Sequence, residues 1–146
     1  MADTAHGVRF WHSTIHLPME EVLPLARHAE GLGFEGVMSP DHLAWWGNGI
    51  TSKYPFNATG EVWWPEEAHW PDPWVSAAAV AAVTTRVRLG HHVYIMPLRD
   101  PVNVAKAVAT TAAVAGPRQC HCRPGEPLIQ SGDKCFWDQS AVVPVG

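Results

Sequence analysis

The sequence predicts an α/β protein in which strands and helices alternate along a parallel sheet. Three observations carry this prediction. Short, largely apolar segments begin at Val8, Phe34 and Val87, and each is followed by a stretch of helical character. Two Asp-Pro pairs, Asp72-Pro73 and Asp100-Pro101, mark helix starts of the same kind. Strands that alternate with helices imply parallel pairing through right-handed crossovers. The alternation runs from Val8 to Ala115 and then gives way to Gly116-Pro117-Arg118-Gln119-Cys120-His121-Cys122. Periodicity alone leaves open whether such a sheet stays open or closes into a barrel.

Val8 to Ser13 reads as the first strand, although its alternation is imperfect. Met19, Val22, Leu23, Ala26, Ala29 and Leu32 then recur at steps of three and four, which predicts one apolar helix face. Pro18 suits the first helical position, and Glu20 and Glu21 lie where the positive end of the helix dipole favours them. Gly31 and Gly33 can supply a left-handed stop. Phe34 to Ser39 is short and mostly apolar, as a buried parallel strand should be. A long loop follows from Pro40 to about Pro71, rich in tryptophan, glycine and proline, and loops of that length are usually functional. The second helix is expected from Pro73 to about Thr85, the third strand from Val87 to Met96, and the third helix from Val102 to Ala115, with Gly116 ending it.

Composition excludes several function classes. The chain has 146 residues, of which 47% are hydrophobic and 16% charged, with a net charge of -4. Nucleic-acid binding needs clustered Lys and Arg, which this balance does not provide. No apolar run reaches the roughly 20 residues needed to cross a bilayer. Met1-Ala2-Asp3-Thr4 lacks the basic and apolar regions of a signal peptide, and the three cysteines form no even-numbered disulfide framework, so a cytoplasmic location is expected. Asn57-Ala58-Thr59 matches a glycosylation acceptor, an accident in a chain without a secretion signal.

Particular stretches carry a family resemblance. Ala29-Glu30-Gly31-Leu32-Gly33-Phe34-Glu35-Gly36-Val37 with Ser39-Pro40-Asp41-His42-Leu43 resembles the first helix and second strand of the bacterial luciferase-like flavin and deazaflavin oxidoreductases. Asp72-Pro73-Trp74 through Thr84-Thr85-Arg86-Val87-Arg88-Leu89-Gly90 is similar to that family's second helix and third strand. Pro97-Leu98-Arg99-Asp100-Pro101-Val102-Asn103-Val104-Ala105-Lys106 is similar to the start of its third helix. The resemblance implies a (β/α)8 TIM barrel with its site at the C-terminal ends of the strands. The chain would supply about the first three βα units, residues 1–116, with an irregular tail over 117–146.

The resemblance also implies a chemistry: hydride transfer between F420, or alternatively FMN, and a small organic substrate, or oxygen activation in the flavin monooxygenases. By the same resemblance Asp41 and His42 are expected against the cofactor ring, His92 and Val93 at a cis peptide behind it, and Trp46 on the substrate side. A histidine beside an aspartate can be held in one tautomer, which would suit His42 next to Asp41. The resemblance assigns no general acid or base within this part of the barrel.

The family's fourth strand is replaced here by Gln119-Cys120-His121-Cys122, so a shifted reading frame or truncated product is expected, with weakened or absent cofactor binding. A barrel takes about 250 residues and removes its sheet edges by closing. Three strands would leave an edge exposed, and a non-catalytic remnant that forms homo-oligomers through that edge is the alternative reading. A third reading is a metal-dependent hydrolase using His12, His16 and Asp41. The spacing speaks against metal binding, because His12 and His16 fall on a strand end and a loop, where four residues do not bring side chains together. Cys120-His121-Cys122 with Cys135 is likewise tighter than the usual zinc spacing, so no metal is expected.

Overall fold

The computed structural model describes residues 8–44, 58–62 and 64–119, except for the side chains of Pro117 and Arg118. Three strands, β1 (Trp11–Ser13), β2 (Gly36–Ser39) and β3 (Arg88–His91), form one parallel sheet in the order β1-β2-β3. Three helices follow them: α1 (Met19–Gly31), α2 (Pro73–Val83) and α3 (Pro101–Gln119). This is the expected α/β architecture of three successive βα units. His12 lies beside Val37, which lies beside Leu89, so one register line crosses all three strands.

Local chemistry explains the helix ends. Asp72 Oδ1 accepts from the amides of Trp74 and Val75, both at 3.0 Å, and Pro73 occupies the first helical position, where no amide is needed. Asp100 Oδ1 accepts from the Asn103 amide at 2.9 Å in the same manner. At the end of α1, Gly33 has φ 84, its amide donates to Glu30 O, and the Phe34 amide donates to Ala29 O. That pair of bonds is a Schellman closure, and the left-handed position explains why glycine stands there. Pro18 precedes α1 as its cap residue rather than opening the helix. Pro24 lies inside α1 on its exposed side, where the carbonyl that loses its intrahelical partner can reach water.

The strands are shorter than the sequence suggests. Pairing continues one step before β1, where the Glu35 amide donates to Phe10 O, but Val8 and Arg9 stay outside the sheet. β3 ends at His91, and Met96–Leu98 forms a 3-10 turn instead of the expected strand end. Gly116 interrupts α3 with φ 69 and ψ 180, as expected of a stop, yet helical backbone resumes and reaches Gln119. There the buried Gln119 Nε2 donates to Thr84 Oγ1 at 2.7 Å, while Thr84 Oγ1 donates to Val80 O at 2.7 Å.

The core lies between the sheet and its helices. Val22, Ala26 and Ala29 of α1 meet Val37, Val80 and Val87, with Leu17, Leu23, Phe34 and Leu89 packed around them. Small residues at these positions let helix and strand approach closely. Because side chains alternate across a strand, the opposite face carries a different set. The Trp11 indole lies over Gly36 and Gly90, and a Cβ at either glycine would meet its ring. Met38 packs beside it. Among the described residues no helix is long and apolar enough to cross a membrane.

Candidate functional site

Ser13, Asp41, His42 and His92 lie at or just beyond the C-terminal ends of the three strands, where Ser13 and His92, 79 positions apart, meet. Ser13 and His92 are placed by backbone pairing. Ser13 ends β1; the Thr14 amide donates to Met38 O at 2.9 Å and so ties that end to β2. The His92 amide donates to Ser39 O at 3.0 Å, which ties the end of β3 to the same strand. The His92–Val93 peptide bond is cis.

Asp41 is the most enclosed member, with its side chain 1% exposed. Arg99 meets it as a fork: Nη1 donates to Oδ2 at 2.6 Å and Nη2 to Oδ1 at 2.7 Å. The Ile95 amide adds a third bond to Oδ2 at 2.7 Å, and Arg99 Nη1 also donates to Ile95 O at 3.1 Å. The guanidinium stacks 4.4 Å from the centre of the Tyr94 ring. Hydrogen bonding to Asp41 raises the Arg99 pKa above its ordinary value, and desolvation offsets only part of that rise. The two-toothed geometry suits arginine and not lysine. The carboxylate therefore serves Arg99 and Ile95 and does not hold the neighbouring His42 in a tautomer, a correction to the sequence reading. A forked cation and a backbone amide simply offer the carboxylate better donors than the adjacent ring.

His42 instead packs among aromatics. Its ring centre lies 5.4 Å from Trp64, edge to face, and 5.0 Å from Trp70. His16, in the left-handed region at φ 58, packs against the same two tryptophans. Burial lowers its pKa below the ordinary imidazole value. His91 and His92, adjacent in sequence, face opposite sides of the sheet. His91 is buried against Trp74 and Tyr94 on the helix side, with ring centres 4.5 and 5.5 Å away. His92 Nε2 lies 2.7 Å from Ser13 Oγ on the open side. Desolvation lowers the pKa of both, that of His91 to about 4.

Asp41, His42, His92 and Val93 thus lie around the strand ends, whereas Trp46, expected on the substrate side, lies outside the described residues. So do Asn57, Cys120, His121, Cys122 and Cys135. The three residues of the hydrolase reading part company: His12 Nδ1 lies 2.7 Å from Ser13 O and its ring packs on Phe34, His16 joins the tryptophans, and Asp41 is held by Arg99. Among the described residues no three His, Cys, Asp or Glu side chains gather as a metal site would require. Sequence reading missed Arg99, Ser13, Trp64 and Trp70 as structural members of the site. A buried acid at a strand end calls for a cation, and that signal could have pointed to Arg99.

The donors at these strand ends fit the ring of a flat, uncharged heterocycle. They offer the imidazoles of His42 and His92, with tryptophan faces beside His42. Arg99 directs two of its donors to Asp41 and one to Ile95 O.

Comparison with known proteins bears on the family and the fold. The luciferase-like monooxygenase family matches residues 4–119. An uncharacterized protein of Mycobacterium tuberculosis is 32% identical over 111 residues, covering 76% of this chain and 38% of its own length. A second from the same organism is 34% identical over 87 residues, covering 58% of this chain and 30% of its own length. The fold of the monooxygenase RslO1 from Streptomyces bottropensis superposes with a TM-score of 0.56 at 24% identity, covering 77% of this chain and 31% of that one. The chain spans less than two fifths of the length of these relatives.

Proposed function

Since the chain belongs to the luciferase-like monooxygenase family of oxidoreductases, we propose that its strand ends form part of a site for hydride transfer between F420, or alternatively FMN, and a small organic substrate. The observation that carries this reading is the placement of Ser13, His42 and His92 at or just beyond the C-terminal ends of parallel strands, with Ser13 against His92 and His42 against Trp64 and Trp70. That is the end of the sheet at which barrel enzymes place their chemistry. The cofactor supplies the hydride; the protein binds, orients and keeps the site dry.

In this reading His42 and the His92–Val93 segment take the cofactor ring. Asp41 acts through Arg99 and Ile95 by fixing the segment that follows His92. Trp64 and Trp70 hold the His42 ring by packing. Trp46 is assigned to the substrate side by the resemblance alone.

The test is a titration of the purified, size-checked chain with F420 and separately with FMN, read by quenching of tryptophan fluorescence. Saturable quenching by either cofactor supports the reading. A folded sample that neither cofactor quenches overturns it for this chain and leaves the family relationship as ancestry. A second reading, a non-catalytic remnant that self-associates, is favoured by one feature: β1 and β3 both stand at an edge of the described sheet.

A further inference from the structure

We propose that Ser13 is a positioning residue for His92, holding the imidazole as its Nδ1–H tautomer so that the open sheet face presents a neutral hydrogen-bond donor to a carbonyl oxygen or ring nitrogen of the ligand. The choice of ligand rests on the cofactor reading above; the tautomer does not.

Proton accounting supports the assignment. Ser13 Oγ accepts from the Ile15 amide at 3.1 Å, which occupies one of its acceptor positions. The same oxygen lies 2.7 Å from His92 Nε2, a distance typical of a hydroxyl donor. If Nε2 carried the proton, Ser13 Oγ would accept twice and its own proton would need another acceptor. Among the described residues His92 Nε2 is the acceptor within its reach. The hydroxyl therefore donates to Nε2, and the single ring proton of the neutral imidazole resides on Nδ1.

The ring is neutral at pH 7 because burial lowers its pKa below the ordinary value. Both partners are also fixed by the backbone. Ser13 is locked to β2 through the register of Ser13 beside Met38, and His92 through its amide bond to Ser39 O. A serine at the end of one strand thus sets the ring of a histidine two strands away. The consequence is selectivity for a ligand atom that accepts a hydrogen bond, and against an ammonium or hydroxyl that only donates at that point.

The test uses the full chain labelled with ¹⁵N-histidine and needs no ligand. At pH 7.5 the long-range ¹H–¹⁵N correlation of His92 should show a protonated Nδ1 and an unprotonated Nε2. Ser13→Ala should move this toward the mixed pattern of a free imidazole, and Ser13→Thr should restore it. A protonated Nε2 in the native chain overturns the proposal without any variant, as does a Ser13→Ala spectrum identical to the native one. Where FMN or F420 binds the native chain, Ser13→Ala should weaken it about tenfold, the loss of one hydrogen bond, with recovery in Ser13→Thr. Absence of binding by the native chain would defeat the cofactor reading, while the tautomer stands or falls by the spectrum.

Discussion

Removing Arg99 would leave the buried Asp41 carboxylate with the Ile95 amide as its remaining donor. Breaking a buried pair from one side costs about 3–5 kcal/mol, a large part of an ordinary domain's stability. We predict that Arg99→Met lowers the urea midpoint sharply and that Asp41→Asn in the same chain recovers much of the loss. Equal losses for the single and double variants would show that the pair is not coupled. His91 makes a separate prediction. Burial, its largest influence, lowers its pKa to about 4, and its Nδ1 has no hydrogen-bond partner among the described residues. A depressed folded-state pKa stabilises the fold above pH 6.5, and that stability is lost as pH falls from 6.5 toward 4. The loss is about 3 kcal/mol by linkage. His91→Phe keeps an aromatic ring against Trp74 and should flatten this acid limb in unfolding curves taken between pH 4 and 7. An unchanged limb would place the titration elsewhere.

At the scale of elements, close approach governs the sheet. A Cβ on Gly36 would meet both the Trp11 ring and the Arg88 carbonyl. The ring could swing aside, but the carbonyl belongs to the paired strand and has nowhere to go. Gly36→Ala should therefore cost about 1–3 kcal/mol. Gly90→Ala should cost less, because its nearest contacts are the side chains of Trp11 and Met38 at 3.2 and 3.3 Å. Urea midpoints of the two variants decide the order, and a milder effect at Gly36 would contradict the packing described. The elements also show what the sequence made legible. Helix ends were readable because Asp72, Asp100 and Gly33 act on amides and carbonyls within a few residues. Strand ends were not, because pairing with a neighbouring strand decides them. Arg99 falls within a family-like stretch, yet its partner Asp41 lies 58 positions away, and proximity in sequence points to His42 instead. Trp64 and Trp70 were visible as loop tryptophans, but which histidines they pack against is a tertiary fact.

For the whole molecule, the described fold is a sheet covered by helices on one face. On the other face Trp11 is 36% exposed and lies across two glycines, with Met38 beside it. Parallel strands normally have both faces covered. We predict that the isolated chain self-associates at tens of micromolar, with sedimentation coefficients that rise with concentration. A monomer across that range would count against the remnant reading. The alternation and the family motifs made the three βα units readable from sequence, because each unit is largely built from local signals. An exposed edge follows from having three strands; that Trp11 lies over the two glycines on the face away from the helices required the structure.

The Glu30 carboxylate holds the chain that leads into β3. Its Oε1 accepts from the amides of Thr85, Arg86 and Val87, with Val87 at 3.2 Å, and the Arg86 side chain returns a bond of 2.6 Å to Glu30 O. Burial alone would raise its pKa, but these donors outweigh it and hold the carboxyl below its ordinary value. One acid at the end of α1 thus fixes the turn into β3, with its partners 55 to 57 positions further along the chain. A bond that closes so long a loop has to wait until the intervening chain is gathered in. The clamp therefore acts as a late latch: Glu30→Gln should speed escape from the native state and leave the rate of reaching it nearly unchanged.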